Sequence, residues 1–177
     1  MYRIHREQLG SFADKETHKW EPYKKAFYKA RYHMSLDGRK CVSVDPFARN
    51  CTWATYRNDI NPETSATYNM DAIDFLKHIK SEIGEVDLFL FDPPFSQRQA
   101  SDKYGSISNV YTKPGYVKEC FDLMISMLRP RGRIIKLGYN STRHNEILDL
   151  IELTIMNFGG NRNDVIMTIW ERGSCKL

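Results

Sequence analysis

At 177 residues the chain is one ordinary domain, long enough to bury a full core, with 26 Lys and Arg against 22 Asp and Glu for a net charge of +4. Its four cysteines (Cys41, Cys51, Cys120, Cys175) and five histidines show no paired metal-ligand spacing, so no metal is expected. No stretch approaches the roughly 20 apolar residues of a membrane span, and no secretory leader is visible, so the cysteines read as reduced thiols in a cytoplasmic compartment. The charge is unevenly placed. Residues 1–40 hold ten Lys or Arg against five acids, a net of +5, which leaves −1 for the rest. Such an imbalance suits a polyanionic partner, although solvated lysines look the same in sequence.

Residues 1–39 form a basic, aromatic amino-terminal segment. Pro22 followed by apolar positions Tyr23, Ala26, Phe27 and Ala30 predicts a helix with proline in its first turn. In the plainer reading the helix covers one face of a sheet. In the sharper one the segment also closes over a cofactor or contacts phosphates. Residues 40–177 then read as one α/β domain. Lys40 to Val44 is a strand that leads into Asp45-Pro46-Phe47-Ala48-Arg49-Asn50, and a second short strand ends in Asn58-Asp59-Ile60-Asn61. Only Cys51 to Thr55 separate the two, too few residues for a full helix. Ala66 to Asp71 reads as a third strand, followed by an amphipathic helix from Ala72 with Ile73, Leu76 and Ile79 inward.

The next strand, Val86 to Phe91, carries the apolar run Leu88-Phe89-Leu90-Phe91, too short for a helix, and ends in Asp92-Pro93-Pro94-Phe95. It reads as a strand buried on both faces, the central kind of a parallel sheet. The two prolines lack N–H groups and force the chain out of the sheet in a stiff turn. A long polar loop, residues 96–115, separates this strand from a helix over Tyr116 to Leu128, stopped by Pro130 and Gly132. A strand from Arg133 to Leu137 and a short helix near His144 to Leu150 come next. Ile151 to Phe158 and Val165 to Trp170, joined by a Gly-Gly-Asn turn, close the sheet as an antiparallel hairpin. The fold class is therefore α/β, a doubly wound, mostly parallel sheet with helices on both faces.

Asp45, Asp59, Asp71 and Asp92 all fall at predicted strand ends, and in a doubly wound sheet those ends open onto one cleft. Asp is also common at turns, so one such residue would mean little. A carboxylate, a proline carbonyl and an aromatic face at one strand end suit the holding of a planar, amine-bearing ring. Asp59 is placed to accept from ribose hydroxyls, as the second-strand acid of dinucleotide folds does. Asp71 and the Ala72 N–H are placed to meet an adenine edge, and Asp45 to face an ammonium group.

Asp45-Pro46-Phe47-Ala48, Asn58-Asp59-Ile60-Asn61-Pro62, Asp71-Ala72 and Asp92-Pro93-Pro94-Phe95, taken together, resemble the successive motifs of class I methyltransferases that use S-adenosylmethionine (SAM). The set, with Gly138-Tyr139-Asn140-Ser141 and the Gly159-Gly160-Asn161-Arg162-Asn163-Asp164 turn, is similar to small adenine-specific DNA methylases of phage and bacteria. That resemblance implies SAM as cofactor, with S-adenosylhomocysteine as product, and Asp45, Pro46, Phe47, Ala48, Asn50, Asp59, Ile60, Asp71 and Ala72 as its binding residues. It implies Asp92, Pro93, Pro94 and Phe95 as the catalytic set. The reaction would be N6-methylation of a flipped adenine in DNA, by a monomer or homodimer, in a setting such as restriction-modification. One departure stands out: Arg49-Asn50-Cys51 replaces the glycine pair that most class I methyltransferases carry there. Gln97, Arg98 and Lys103 in the following loop are the candidates for base and phosphate contact. RNA adenine methylation is the nearest alternative, and a catalytically inert nucleic-acid-binding module of the same fold is the alternative from another class.

Overall fold

The molecule, a computed structural model, is described here over residues 2–10, 16–96, 113–141, 146–159 and 163–173. Its strands and helices are β1 (Arg3–Gln8), α1 (Glu21–Met34), β2 (Ser43–Asp45), β3 (Tyr56–Arg57), α2 (Ala72–Glu82), β4 (Val86–Phe91), α3 (Tyr116–Met127), β5 (Leu128–Gly138), β6 (Leu148–Asn157) and β7 (Val165–Arg172), with a 3-10 turn over Thr17–Lys19. They build one seven-stranded sheet in the order β1-β6-β7-β5-β4-β2-β3. Every pairing is parallel except those of β7, which runs antiparallel to β5 and β6.

The apolar run of β4 sets the two layers. All six of its residues are buried. Leu88 and Leu90 pack with Phe27, Ile135 and Leu137 beneath α1, while Phe89 and Phe91 pack with Leu76, Phe121 and Met124 beneath α2 and α3. Each such side chain contributes roughly 1.5–3 kcal/mol of burial, so no neighbouring register competes with this one. The predicted helix stripe of α1 is the buried one: Tyr23, Ala26, Phe27 and Ala30. Asp71 caps α2 by accepting the Ile73 N–H at 2.9 Å.

Four segments differ from the sequence expectation. Arg3–Gln8 forms an edge strand parallel to β6, although its residues are all exposed and, apart from Ile4, polar. It is held by backbone pairing alone, which leaves no hydrophobic signature. The expected third strand shrinks to a single bridge between Asn58 and Tyr68, because the Asn69 amide donates to the Asp59 and Asn61 carbonyls and the Asn61 side chain accepts the Glu63 N–H, while Pro62 adds no donor to a ladder. Leu148 to Leu150 is already strand β6, not helix, since it pairs along β7. Pro130 and Gly132 do not stop a helix before a strand; they lie within β5, where Arg131 takes a left-handed φ of 63° and the pairing with β4 jumps from Leu128 to Arg133. A bulge absorbs them.

Asn58 fastens the loops above β2 and β3. It is fully buried. Its amide nitrogen donates to the carbonyls of Pro46 (3.1 Å) and Met70 (3.0 Å), and its oxygen accepts the Met70 N–H (3.0 Å). Asn58→Ala strands these backbone groups in a dry interior, at a cost of about 3 kcal/mol. A thermal melt should show the midpoint lowered by about 6–12 °C; a shift under about 2 °C would mean the loops hold themselves.

Candidate active site

Two strand ends meet over the sheet. β2 ends in Asp45, which is buried and accepts the Phe47 N–H at 3.0 Å. Its neighbour β4 ends in Asp92, from which the two prolines lead the chain away. The crevice between them is walled by Phe47, Ala48, Arg49 and Cys51 on one side, and by Glu16, Thr17, His18 and Tyr23 on the other. The Thr17 hydroxyl donates to the Asp92 carboxylate and closes the mouth. About 10 Å³ of room remains inside, roughly the space of one water.

The turn after Asp45 is tight without glycine. Arg49 itself takes the left-handed region, φ 47°, and the Cys51 N–H closes the turn on the Ala48 carbonyl at 2.8 Å. Asp59, buried, holds that turn through the Arg49 N–H (3.1 Å) and the next through the Asn61 N–H (2.9 Å). Asn50 donates to Glu16 at 3.1 Å and accepts the Ser65 N–H at 3.2 Å, so it ties the amino-terminal strap to the loop. The hydrogen bonds from Lys19 and Asn50 hold the Glu16 carboxyl down to about 2, so it is ionised throughout the working range.

Of the sequence-derived site residues, Asp45, Phe47, Ala48 and Asp92 share the crevice, while Asp59 and Asp71 lie outside its lining. Pro46 and Ile60 flank the Asn58 and Asp59 tethers. Asp71 sits half-buried at the head of α2, and the Ala72 N–H, expected to face an adenine nitrogen, is donated to the Tyr116 hydroxyl at 3.2 Å. Phe95 lies edge-on to Tyr139 at 5.1 Å, beyond Pro93 and Pro94. Gln97, Arg98 and Lys103 lie outside the described residues. The thiols of Cys51 and Cys120 are pushed up to about 12 by burial, which suits packing rather than nucleophilic chemistry.

Sequence reading missed Tyr23 as a site residue, because its ring fits the helix stripe. The ring is in the core, yet the hydroxyl lines the crevice and has no hydrogen-bond partner among the described residues. Burial, with Asp45 and Asp92 nearby, pushes the phenol well above its usual range, so it stays a donor. An orphaned donor between two carboxylates, with His18 and Arg49 on the walls, is complementary to a zwitterion. The amino-acid end of SAM is such a group, so the donor types suit that end of the cofactor, and a crevice with room for about one water admits it only when the Glu16–His18 strap moves aside.

The fold is that of the class I SAM-dependent methyltransferases. Among solved structures the chain is similar to the N-methyltransferase NodS from Bradyrhizobium japonicum WM9, with 12% identity over 87% of this chain and 98% of that one and a TM-score of 0.53. It is also similar to a SAM-dependent methyltransferase from Agrobacterium tumefaciens (11%, 90% and 65%, 0.60) and to TrmN from Thermus thermophilus (15%, 84% and 47%, 0.52). NodS is also known in complex with S-adenosyl-L-homocysteine. No protein-family model and no curated protein sequence matches the chain.

Burial holds the Asp45 carboxyl well above the usual carboxylate range; the Phe47 N–H opposes the shift, and the charges of Asp92 and Asp59 add to it. A carboxyl raised in the folded state stabilises the fold below its unfolded value, near 3.9, and that stability is lost as pH rises through the folded value. Asp45→Asn keeps an acceptor for Phe47 and removes the buried charge. Its melting point should therefore gain on the wild type steadily from pH 4 to pH 8; a gap that stays constant would show that Asp45 is not the strained group.

Proposed function

We propose that the protein is a SAM-dependent DNA adenine-N6 methyltransferase. The observation that carries this reading is the Asp92-Pro93-Pro94-Phe95 turn at the end of a fully buried central strand, facing Asp45 across one crevice. When bound, SAM supplies an electrophilic methyl group on a sulfonium centre. Asp45 takes its ammonium and the Tyr23 hydroxyl donates to its carboxylate. Asp59 is the acid proposed for the ribose hydroxyls, which it would reach only if the turns it holds open toward the crevice. Asp71 and Ile60 border the adenine, with Asn50 bracing the loop over the methionine end.

The adenine amine is a weak nucleophile because its lone pair is spread into the ring. Asp92 and the Pro93 carbonyl accept its two hydrogens and turn the lone pair toward the methyl group, while Pro94 fixes the direction of the turn. Phe95, braced edge-on by Tyr139, presents a face for the base. With the cofactor bound, the nitrogen would take the methyl group as the methyl–sulfur bond breaks, the electron pair staying on sulfur as neutral S-adenosylhomocysteine, and Asp92 would pass one amine proton to solvent. Rate comes from alignment and from negative potential set where positive charge develops. Base flipping costs a few kcal/mol and one stacked ring returns roughly 1–3 kcal/mol, so phosphate contacts are required. Gln97, Arg98 and Lys103 are proposed for that task. Thr17 must release Asp92 before a base can enter.

Asp92→Ala should lower transfer at least 100-fold, the usual scale for losing one preorganised contact to developing charge, with SAM affinity within about threefold. The check is mass spectrometry of nucleosides after incubation with DNA and RNA oligonucleotides and labelled SAM. N6-methyladenine in DNA supports the reading. Label in RNA alone would redirect it to RNA, and label in neither would leave a binding module. A second expectation concerns pH. An ammonium binds the ionised form of Asp45, so binding expels a proton and SAM affinity rises with pH until the raised value is passed. Calorimetry in two buffers of different ionisation enthalpy should register proton release in the wild type and none in Asp45→Asn; equal release in both would place the titrating group elsewhere.

A further inference from the structure

A trough runs beside the crevice, along the opposite side of α1. Two cavities of about 280 Å³ and 250 Å³ join end to end beneath the helix, sharing Ala26, Lys29 and Glu152. One wall is the α1 stripe Lys25, Lys29 and Tyr32 with Leu36 just past the helix end, and the other is the outermost strand through Arg3, His5 and Glu7. Alternation along β1 puts these three on the face toward the helix. The floor is small and apolar: Ala26, Ala30, Ile151, Met167 and Ile169. Alanines at the helix positions facing the strand are what keep the space open.

The trough has a direction. β1 is parallel to β6 and so to β4, which places Glu7 and Gln8 at the end of the sheet where Asp92 lies. Pro22 lines the upper cavity and the adjacent Tyr23 lines the crevice. From Pro22 to His33 the helix spans about 17 Å, the reach of a few nucleotides.

Its chemistry is mixed in a particular way. Four cations, Arg3, Lys25, Lys29 and Arg133, face two acids, Glu7 and Glu152. Arg133 is held by Glu171 at 2.8 Å, Lys29 by Glu152 at 3.2 Å, and Lys25 only by an exposed pair with Glu21 at 3.9 Å, a contact that a phosphate at the rim can replace. Tyr32 stands 72% exposed at the lower end, a flat ring with nothing covering most of it. The crevice, by contrast, is lined by Glu16, Asp45 and Asp92 and repels phosphate. A polyanion whose base enters the crevice must therefore carry its phosphates elsewhere, and the trough begins at the rim.

We propose that the α1–β1 trough holds a single-stranded segment of the nucleic acid that flanks the target base. Bases lie on the apolar floor and against Tyr32, and phosphates run along Arg3, Lys25 and Lys29. The floor is recessed between a helix and a strand, so an unpaired chain reaches it and a rigid duplex rests only on the rims. The choice of nucleic acid as the polyanion rests on the methyltransferase reading; the binding itself is scored without any transfer of methyl groups.

The test is fluorescence anisotropy of a labelled 12-nucleotide single strand, titrated with the full-length protein at several salt concentrations. Lys25→Gln with Lys29→Gln removes two phosphate contacts, so affinity falls about tenfold or more at low salt and the slope of log K against log salt drops by about 1.4. Tyr32→Ala weakens binding at least about fivefold with the salt slope unchanged. Glu152→Gln, which frees Lys29 without removing any side-chain bulk, tightens it. A variant that had merely lost its fold could not tighten binding. Lys118→Gln, on α3 over the other face of the sheet, changes nothing. Equal affinity of wild type and the Lys25, Lys29 and Tyr32 variants would overturn the proposal, as would tighter binding of duplex that the variants do not disturb. Acidic lipid vesicles competing as well as the oligonucleotide would overturn it in favour of a membrane surface. Asp92→Ala separates the two claims: it should lower transfer at least 100-fold while its strand binding still responds to the Lys25 and Lys29 substitutions, and a methyltransferase whose trough variants bind normally would keep its activity and lose only this surface.

Discussion

The structure turns on a charge placed where water cannot reach it. Asp45 ends a buried strand, is 3% exposed, and faces Asp92 across a crevice that the amino-terminal strap closes. A carboxylate in such a place loses several kcal/mol of hydration, and one backbone N–H returns only part of that. The molecule has two ways to settle the deficit: it protonates Asp45, or it admits a cation. The first describes the protein alone; the second describes its proposed chemistry. The orphaned Tyr23 hydroxyl beside both acids belongs to the same account, since it is a donor kept ready in a site otherwise rich in acceptors.

Much of what forms this crevice comes from the first 34 residues. The connection from β2 to β3 has no helix, so only Trp53 and Ala54 from that part of the chain reach the side of the sheet where Leu88 and Leu90 lie. α1 takes that position, and Trp53 from the short connection stacks on Phe27 at 5.2 Å with an interplanar angle of 25° to seal the seam. The same helix then carries Tyr23 into the crevice and its lysines to the trough. Arg49 accepts a left-handed backbone where glycine is easier, a cost of order 1 kcal/mol, held by Asp59 from below and followed by Asn50, which ties the strap above. The departure from a glycine turn therefore leaves the shape of the turn intact and adds a side chain that fastens it to Glu16.

How much of this could be read from sequence depended on whether an element announces itself through burial. The run Leu88–Phe91 is apolar on both faces and reads as a central strand, so the place of Asp92 and its prolines at a strand end follows from the sequence. The stripes of α1, α2 and α3 were legible for the same reason. β1 was not, because an edge strand whose six side chains all face solvent pairs through its backbone, and Arg-Ile-His-Arg-Glu-Gln has no period to detect. Four acids at strand ends suggested one shared crevice, yet only Asp45 and Asp92 line it. The carboxylates of Asp59 and Asp71 are used on nearby N–H groups, and spacing alone does not say whether an acid faces a ligand or its own turn. Tyr23 fails differently: periodicity reports where a ring goes and says nothing of where its hydroxyl ends.

The claim beneath all of this is that Asp45, Tyr23 and Asp92 surround one SAM-binding crevice. Ultraviolet photolabelling with methyl-tritiated SAM, followed by peptide mapping, examines it directly. The account predicts saturable label, competed by S-adenosylhomocysteine, on peptides containing Tyr23, residues 45–51 or residues 92–95. Saturable label confined to other parts of the chain, or none above that of heat-denatured protein, would contradict it.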